Sequence, residues 1–465
     1  MEATHNPNAI DQFIAQLDGQ VILPHDAEYE ESRKIWNGMI DKYPAIIVRP
    51  TNTDDVALTI KFAQENDMVL SVRGGGHNVA GHATNDHGIV VDLSHMKKIT
   101  VDPVSRTATA GGGVLWGELD AETQKYGLAT PGGVYSKTGI AGLTLGGGFG
   151  WIRNKYGLSC DNLIGAEVVT ADGRVVHTSE DENSELLWGL RGGGGNFGIV
   201  TTFEYQLHPL GPDVMFVFVL HDGRDKKTME RGVRFYRDYS TTAPDEVSTI
   251  MALGQVPPDE HFPEELHETP FILFGGLYAG DVEAGKKALQ PLLDFGEPLL
   301  DFSGVMPYTD AQQAFDEDYP DGLRYYWKSL NLTELNDAAI KRIVHHARLQ
   351  PSPFSTTDLW DVGGAMKKDV DGAFHGRHVN FLLSPEANWI DEADDEINVT
   401  WLREFIDDMS IFSDGSHYLN FPGFQEEGDE MMRKSFGEKY QRLQVLKREY
   451  DPTNFFALNQ NIKPR

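Results

Sequence analysis

A histidine directly after three glycines is the strongest chemical feature of this chain. Residues 71–81 read S-V-R-G-G-G-H-N-V-A-G. Gly74, Gly75 and Gly76 let the backbone approach a ligand closely and adopt positive φ, with Arg73 on one side and His77 and Asn78 on the other. Asp67–Val72 (D-M-V-L-S-V) just upstream has the apolar, β-branched character of a short buried strand. Strand, glycine loop and one reactive imidazole point to a phosphate-bearing cofactor held by backbone N–H groups. Taken alone, the same pattern also fits a tight turn capped by a histidine. Two further clusters, G-G-G-F-G at 146–150 and G-G-G-G-N-F-G at 192–198, favour the ligand reading. None is a P-loop, because no Gly-Lys-Ser/Thr follows. Nor do strand, G-x-G-x-x-G, helix and downstream acid line up as in dinucleotide folds. Backbone-lined anion nests are the remaining physical account.

Other chemistries find less support. The histidines show no H-E-x-x-H spacing, so no metal site is expected, and no G-x-S-x-G elbow suggests a serine hydrolase. Cys160 is the single cysteine, which excludes an internal disulfide, and it reads as a small buried residue.

The elements that must position these loops divide the 465 residues into two styles. Up to about 210 the chain is glycine-dense, with short strands at 44–50, 88–93 and 199–207 and helical periodicity over Thr53–Asn66 and Val114–Tyr126. Ile164–Thr170 and Arg174–His177 flank A-D-G as a hairpin. After His208 the glycine clusters stop. Longer strands (Met215–Leu220, Phe271–Phe274, Val379–Leu383) then alternate with helices near 225–239, 282–293, 335–348 and 391–409. That pattern predicts an antiparallel sheet covered by helices, an α+β arrangement. The acidic run F-D-E-D-Y-P-D at 315–321 reads as a solvated excursion. A charged helix at 429–447 and the aromatic, amide-rich end Y-D-P-T-N-F-F-A-L-N-Q-N-I read as a docking tail.

A net charge of −31 makes nucleic acid and anionic membrane surfaces poor partners. The N-terminal residues lack a basic stretch followed by an apolar one, and no apolar run reaches membrane-spanning length. A soluble cytoplasmic protein is the expectation.

Four motifs in order resemble one family. R-G-G-G-H-N-x-x-G, G-I-A-G-L-T-L-G-G-G-F-G-W-I-R-N-K-Y-G-L-S-C-D-N-L, L-L-W-G-L-R-G-G-G-G-N-F-G-I-V-T and the C-terminal run are similar to the FAD-linked oxidases of the vanillyl-alcohol-oxidase/p-cresol-methylhydroxylase (PCMH) superfamily. The closer resemblance is to the berberine-bridge-enzyme-like branch, which includes 6-hydroxynicotine and oligosaccharide oxidases. It is dense over about 40–210 and 415–463. The resemblance implies a PCMH-type FAD-binding domain of two α+β subdomains over 1–210, a substrate domain over 211–414, and a C-terminal segment, 415–465, that completes the FAD domain.

It further implies that His77 bonds covalently to the flavin 8α carbon, which a neutral imidazole nitrogen can do. Gly74, Gly75, Gly76, Asn78 and Gly81 would line the diphosphate, with Arg73 as a nearby positive charge. Thr138, Gly139, Gly142, Gly146, Gly147, Gly148, Gly157, Asp161 and Asn162 match other cofactor-contacting stretches. Gly198, Ile199 and Val200 match the strand near the adenine end, and Asn459 and Asn461 the returning tail. Many members carry a second link through a cysteine; the matching position here is Tyr135, so a single attachment through His77 is expected, with a smaller pocket. Tyr418 and Asn420, in Y-L-N-F, match the family's Y-x-N pair beside the ring, and Tyr418 is the expected base if its phenolate is stabilised. Tyr135, Tyr326, Trp327, His375 and Trp389 are the further aromatic candidates for the substrate pocket. The implied reaction is oxidation of an alcohol or amine carbon, with O2 as acceptor giving H2O2. Thr138, at the position implied to control oxygen access, favours this. A dehydrogenase using a quinone or protein acceptor and a non-catalytic flavoprotein are the alternatives.

Overall fold

Strands in which alternate residues face different cores set the architecture. The computed structural model describes residues 7–424 and 428–465. Residues 1–6, which begin the stretch read above for a leader, lie outside it. Among the described residues there are three larger sheets. A four-stranded sheet has the order Gln20–Ile22, Ile46–Arg49, Ile89–Asp92, Leu70–Arg73, the last three strands parallel. Its crossover helix Thr53–Glu65 starts at Asn52, whose side chain accepts the Asp55 N–H, and packs Val56, Ile60 and Ala63 on Val48, Leu70 and Val91. A five-stranded antiparallel sheet runs Ile99–Asp102, Thr107–Gly111, Ile199–Gln206, Leu163–Val169, Val175–Ser179, and contains the hairpin expected from A-D-G.

The third sheet is antiparallel and nine-stranded. One face packs under the helices Lys226–Ser240, Val282–Leu293, Asp337–Ala347 and Asp395–Met409, burying Met251, Phe274, Leu359 and Leu383. The neighbouring residues Ile250, Leu273, Trp360 and Leu382 face the opposite way, into a core shared with Phe149, Trp151 and Tyr418. The α+β layout with helices on one face of an antiparallel sheet is therefore observed, and its uncovered face abuts the glycine-rich region. The strands are longer than their apolar runs suggested: Phe271–Phe274 extends to Pro270–Tyr278, and Val379–Leu383 becomes Phe381–Trp389. Backbone pairing carries them past the recognisable residues. The tail helix divides into Gly428–Phe436 and Tyr440–Tyr450, with Gly437 at φ +53° near the break. Both halves join the core of the five-stranded sheet through Met432, Phe436, Leu443 and Leu446. No helix of the described residues is long and apolar enough to cross a membrane.

Candidate active site

The edge strand Leu70–Arg73 delivers the glycine loop to a large cavity between the glycine-rich region and the nine-stranded sheet. Gly76 has φ +74°, and the backbones of Gly75 and Gly139 touch, so a Cβ on either would overlap the other. Gly75, Gly76, His77 and Asn78 line the cavity, and no protein acceptor takes their backbone N–H groups among the described residues. A run of N–H donors without protein acceptors at the wall of a cavity suits an anion. His77 is held between rings: it stacks on Trp36 at 4.8 Å and meets Tyr135 at 5.0 Å, and Trp36 itself stacks on Tyr325 at 3.7 Å. Burial, reinforced by the nearby Lys137 charge, pushes its pKa down to about 3. The imidazole is thus neutral, with a nitrogen lone pair available for bonding.

Gly74, Thr138, Gly139, Gly142, Gly146, Gly198, Ile199, Val200 and Asn459 also line the cavity, as the motifs suggested. Several expected contacts fall elsewhere. The Arg73 guanidinium lies outside the lining: Nη1 donates to the Ser32 carbonyl at 2.6 Å with Asp92 at 3.8 Å, while Nε and Nη2 are buried without a hydrogen-bond partner. Gly81 (φ +75°) closes a turn onto the Asn78 carbonyl and packs against Ile40. Gly157 (φ +82°) ends a short helix, Asp161 pairs with Arg377, and Asn162 donates to the Tyr156 and Leu158 carbonyls. These three order a loop behind the wall. Asn461 lies outside the lining, with its buried Oδ1 unpartnered.

Gly147 and Gly148, at φ +130° and +95°, also stand outside the lining, but they hold Tyr418. Its hydroxyl oxygen accepts from the Gly148 N–H at 3.0 Å and from Asn420 Nδ2 at 2.8 Å, and Asn420 also donates to the Leu143 carbonyl. Both bonds favour a phenolate, yet burial outweighs them and pushes the Tyr418 pKa up to about 12. The two bonds thus supply part, but not all, of the phenolate stabilisation on which a role for Tyr418 as base was conditioned.

The substrate candidates separate by strand parity. Trp327 and Tyr135 line the cavity. Tyr326, one residue from Trp327, faces the helix-side core and packs on Phe424 at 4.9 Å. Trp389 is in the same core and donates to Asp395 at 2.8 Å. His375 sits in a separate small recess beside His378. These three are corrections. The acidic run is another: Phe315 is buried, Asp316 accepts the Ser136 N–H at 2.9 Å, and Tyr319 reaches the cavity. It is a strap over the site. Missed entirely were Trp36, Trp360, Phe421 and above all Glu386, a buried carboxyl in the lining that accepts the Tyr319 hydroxyl at 2.9 Å. Only the alternation within Phe381–Trp389 could have signalled it, and that strand is buried on both faces.

Residues 44–179 match the FAD binding domain family, and 417–463 match the berberine and berberine-like family. The chain is 31% identical to (R)-6-hydroxynicotine oxidase of Paenarthrobacter nicotinovorans, over 96% of this chain and 97% of that one. The chain belongs to the berberine-bridge-enzyme-like FAD-linked oxidoreductases. The crystal structure of 6-hydroxy-D-nicotine oxidase from Arthrobacter nicotinovorans matches with a TM-score of 0.87 at 29% identity, covering 97% of this chain and 98% of that one. A glucooligosaccharide oxidase from Acremonium strictum, described with a 6-S-cysteinyl, 8α-N1-histidyl FAD, shares the fold at 23% identity and a TM-score of 0.87, over 98% and 100% of the two chains.

The oxidoreductase's cavity fits FAD. Gly142 and Gly195 face open space, the N–H groups of Gly75–Asn78 are unpaired, and no Lys or Arg among the described residues lines the wall. Backbone donors would therefore hold the diphosphate, with neutral His77 in the same cavity.

Proposed function

We propose that this oxidoreductase is an oxidase of a small molecule, acting on an alcohol or amine carbon, with FAD held by one covalent link through His77 and O2 as the electron acceptor. The observation that carries the reading is the neutral His77 facing, in one cavity, both the unpaired N–H loop and the Tyr418–Asn420 pair. The bound flavin would supply two-electron acceptance from the substrate carbon; the chain supplies position and proton handling. Tyr135, where a second covalent cysteine would stand, supports the single link, and Thr138 beside Gly139 supports access for oxygen. Tyr418, protonated and anchored on Gly148, orients the substrate's polar group through its own O–H.

Mixing the purified yellow protein anaerobically with a panel of hydroxynicotines, sugars and aromatic alcohols tests this. One of them should bleach the flavin, and air should restore the colour with formation of H2O2. Slow recolouring in air that a quinone accelerates would instead make it a dehydrogenase. In the same stopped-flow experiment Tyr418→Phe should slow bleaching by about 10²-fold, and an unchanged rate would remove Tyr418 from the chemistry.

A further inference from the structure

Rings alone orient the His77 side chain. Among the described residues no hydrogen bond or ion pair reaches its imidazole nitrogens. Its ring contacts are Trp36, at 4.8 Å and 21°, and Tyr135, at 5.0 Å and 50°. Trp36, the near-parallel one, also stacks on Tyr325 at 3.7 Å and 12°. Tyr325 and His77 share no ring contact among the described residues, so they occupy opposite faces of the indole. Tyr325, Trp36 and His77 thus form one column of rings. It runs from the strand Arg324–Trp327 of the nine-stranded sheet to the glycine loop.

The column is fixed at its sheet end. Trp36 is buried; its Nε1 donates to the Tyr319 carbonyl at 3.0 Å, and its own carbonyl accepts the Gly322 N–H at 2.9 Å. The next residue, Asn37, donates from Nδ2 to the Tyr325 carbonyl at 2.8 Å and accepts the Tyr325 N–H at 3.1 Å. The Tyr325 hydroxyl donates to the Pro320 carbonyl at 2.6 Å. Tyr325 is fully buried and stands outside the cavity lining, so it meets the cavity only through Trp36. The N–H groups that suit the diphosphate belong to the glycine loop itself. Holding FAD and bonding to it therefore draw on different contacts.

Resting on the single-link reading above, we propose that Trp36, backed by Tyr325, is a positioning residue that holds the His77 imidazole at its angle of attachment, so that formation of the covalent link, and not retention of FAD, depends on the ring column. The torsion that turns an imidazole about its Cβ–Cγ bond is broad, and a flat partner pressed on one face restrains it. Attachment forms an N–C bond from His77 to the 8α carbon and breaks one 8α C–H bond and the imidazole N–H bond. The two protons and two electrons released pass to the flavin ring. O2, the acceptor in that reading, then takes them up as H2O2. A lone pair displaced by about 1 Å from that carbon loses about 10²-fold in rate.

Acid precipitation of purified proteins produced in parallel divides their flavin into attached and released fractions, and melting temperatures are measured alongside. Trp36→Leu should purify yellow and folded with its attached fraction lowered at least about tenfold. Trp36→Phe, which keeps a ring in the column, should restore most of the attachment. Tyr325→Leu should lower the attached fraction in part, and adding it to Trp36→Leu should lower it no further, because both act through one contact. A folded Trp36→Leu that attaches flavin as fully as the unmodified protein overturns the proposal and leaves the single link standing. So does a Trp36→Phe no better than Trp36→Leu. Should Trp36→Leu fail to fold, Tyr325→Leu decides, and full attachment in it overturns the proposal. Flavin wholly released from the unmodified protein, or still attached in His77→Ala, overturns the single-link reading and this proposal with it.

Discussion

Replacing His77 with alanine is expected to leave every flavin dissociable and to lower turnover by about 10²-fold, the scale of loss when a reacting group is displaced by about 1 Å. The imidazole is fixed by rings on both sides, Trp36 and Tyr135, so its nitrogen cannot wander from the cavity. Its neutrality has the same origin: burial makes the imidazolium costly, so the lone pair stays available through the physiological range. Acid precipitation followed by absorbance of the supernatant reads the outcome. Flavin should precipitate with the unmodified protein and remain in solution from the variant. Precipitation with the variant would show that the link lies elsewhere.

The second large effect concerns the tail. Lys447→Met should destabilise the protein by about 3–5 kcal/mol, the usual cost of leaving a buried charge without its partner. Lys447 and Asp451 are both fully buried, 2.6 Å apart. The ammonium also donates to the Asn196 carbonyl at 2.8 Å and the Phe456 carbonyl at 3.0 Å. Asp451 in turn accepts the N–H groups of Phe455 and Phe456 at 2.7 and 2.9 Å. One ion pair thus ties the glycine cluster at 192–198 to the returning segment that brings Asn459 to the cavity. Denaturant unfolding should show the midpoint falling with the slope unchanged. Lys447→Met combined with Asp451→Asn should recover part of the loss, because the stranded charge is then gone. A single variant as stable as the parent would mean the tail is held by its apolar contacts alone.

The glycine loops that line the cavity were legible in the sequence because their requirement is local. Gly75, Gly76 and Gly139 occupy positions where a Cβ would meet backbone or positive φ is required, and such needs are written as glycine. The Y-x-N pair was legible only through the resemblance; a turn closed by the Phe421 N–H on the Tyr418 carbonyl brings Asn420 onto the Tyr418 hydroxyl. The substrate side was not, because it is built by long-range pairing. Whether Tyr326 or Trp327 meets the cavity depends on register against Phe381–Trp389; Ser384, Glu386 and Asn388 alternate there with Pro385, Ala387 and Trp389, but both faces are buried, so the alternation alone does not tell which face meets the cavity. Trp36 arrives from nearly 300 residues before its stacking partner Tyr325. The strap at 315–321 looks solvated by composition, yet Phe315 is buried, Tyr319 reaches the cavity and Asp316 ties back to Ser136, leaving Glu317, Asp318 and Asp321 exposed. Arg73 and Asp161 illustrate the converse. Each sits in a cofactor motif, yet Asp161 pairs with Arg377 and Arg73 reaches the Ser32 carbonyl, both outside the cavity lining.

Peptide mapping of the intact protein by mass spectrometry bears most directly on the central claim. The flavin mass should appear on the peptide containing His77 and on no other. Flavin on the peptide containing Cys160 or Tyr135, or a protein from which all flavin is released on denaturation, would contradict it.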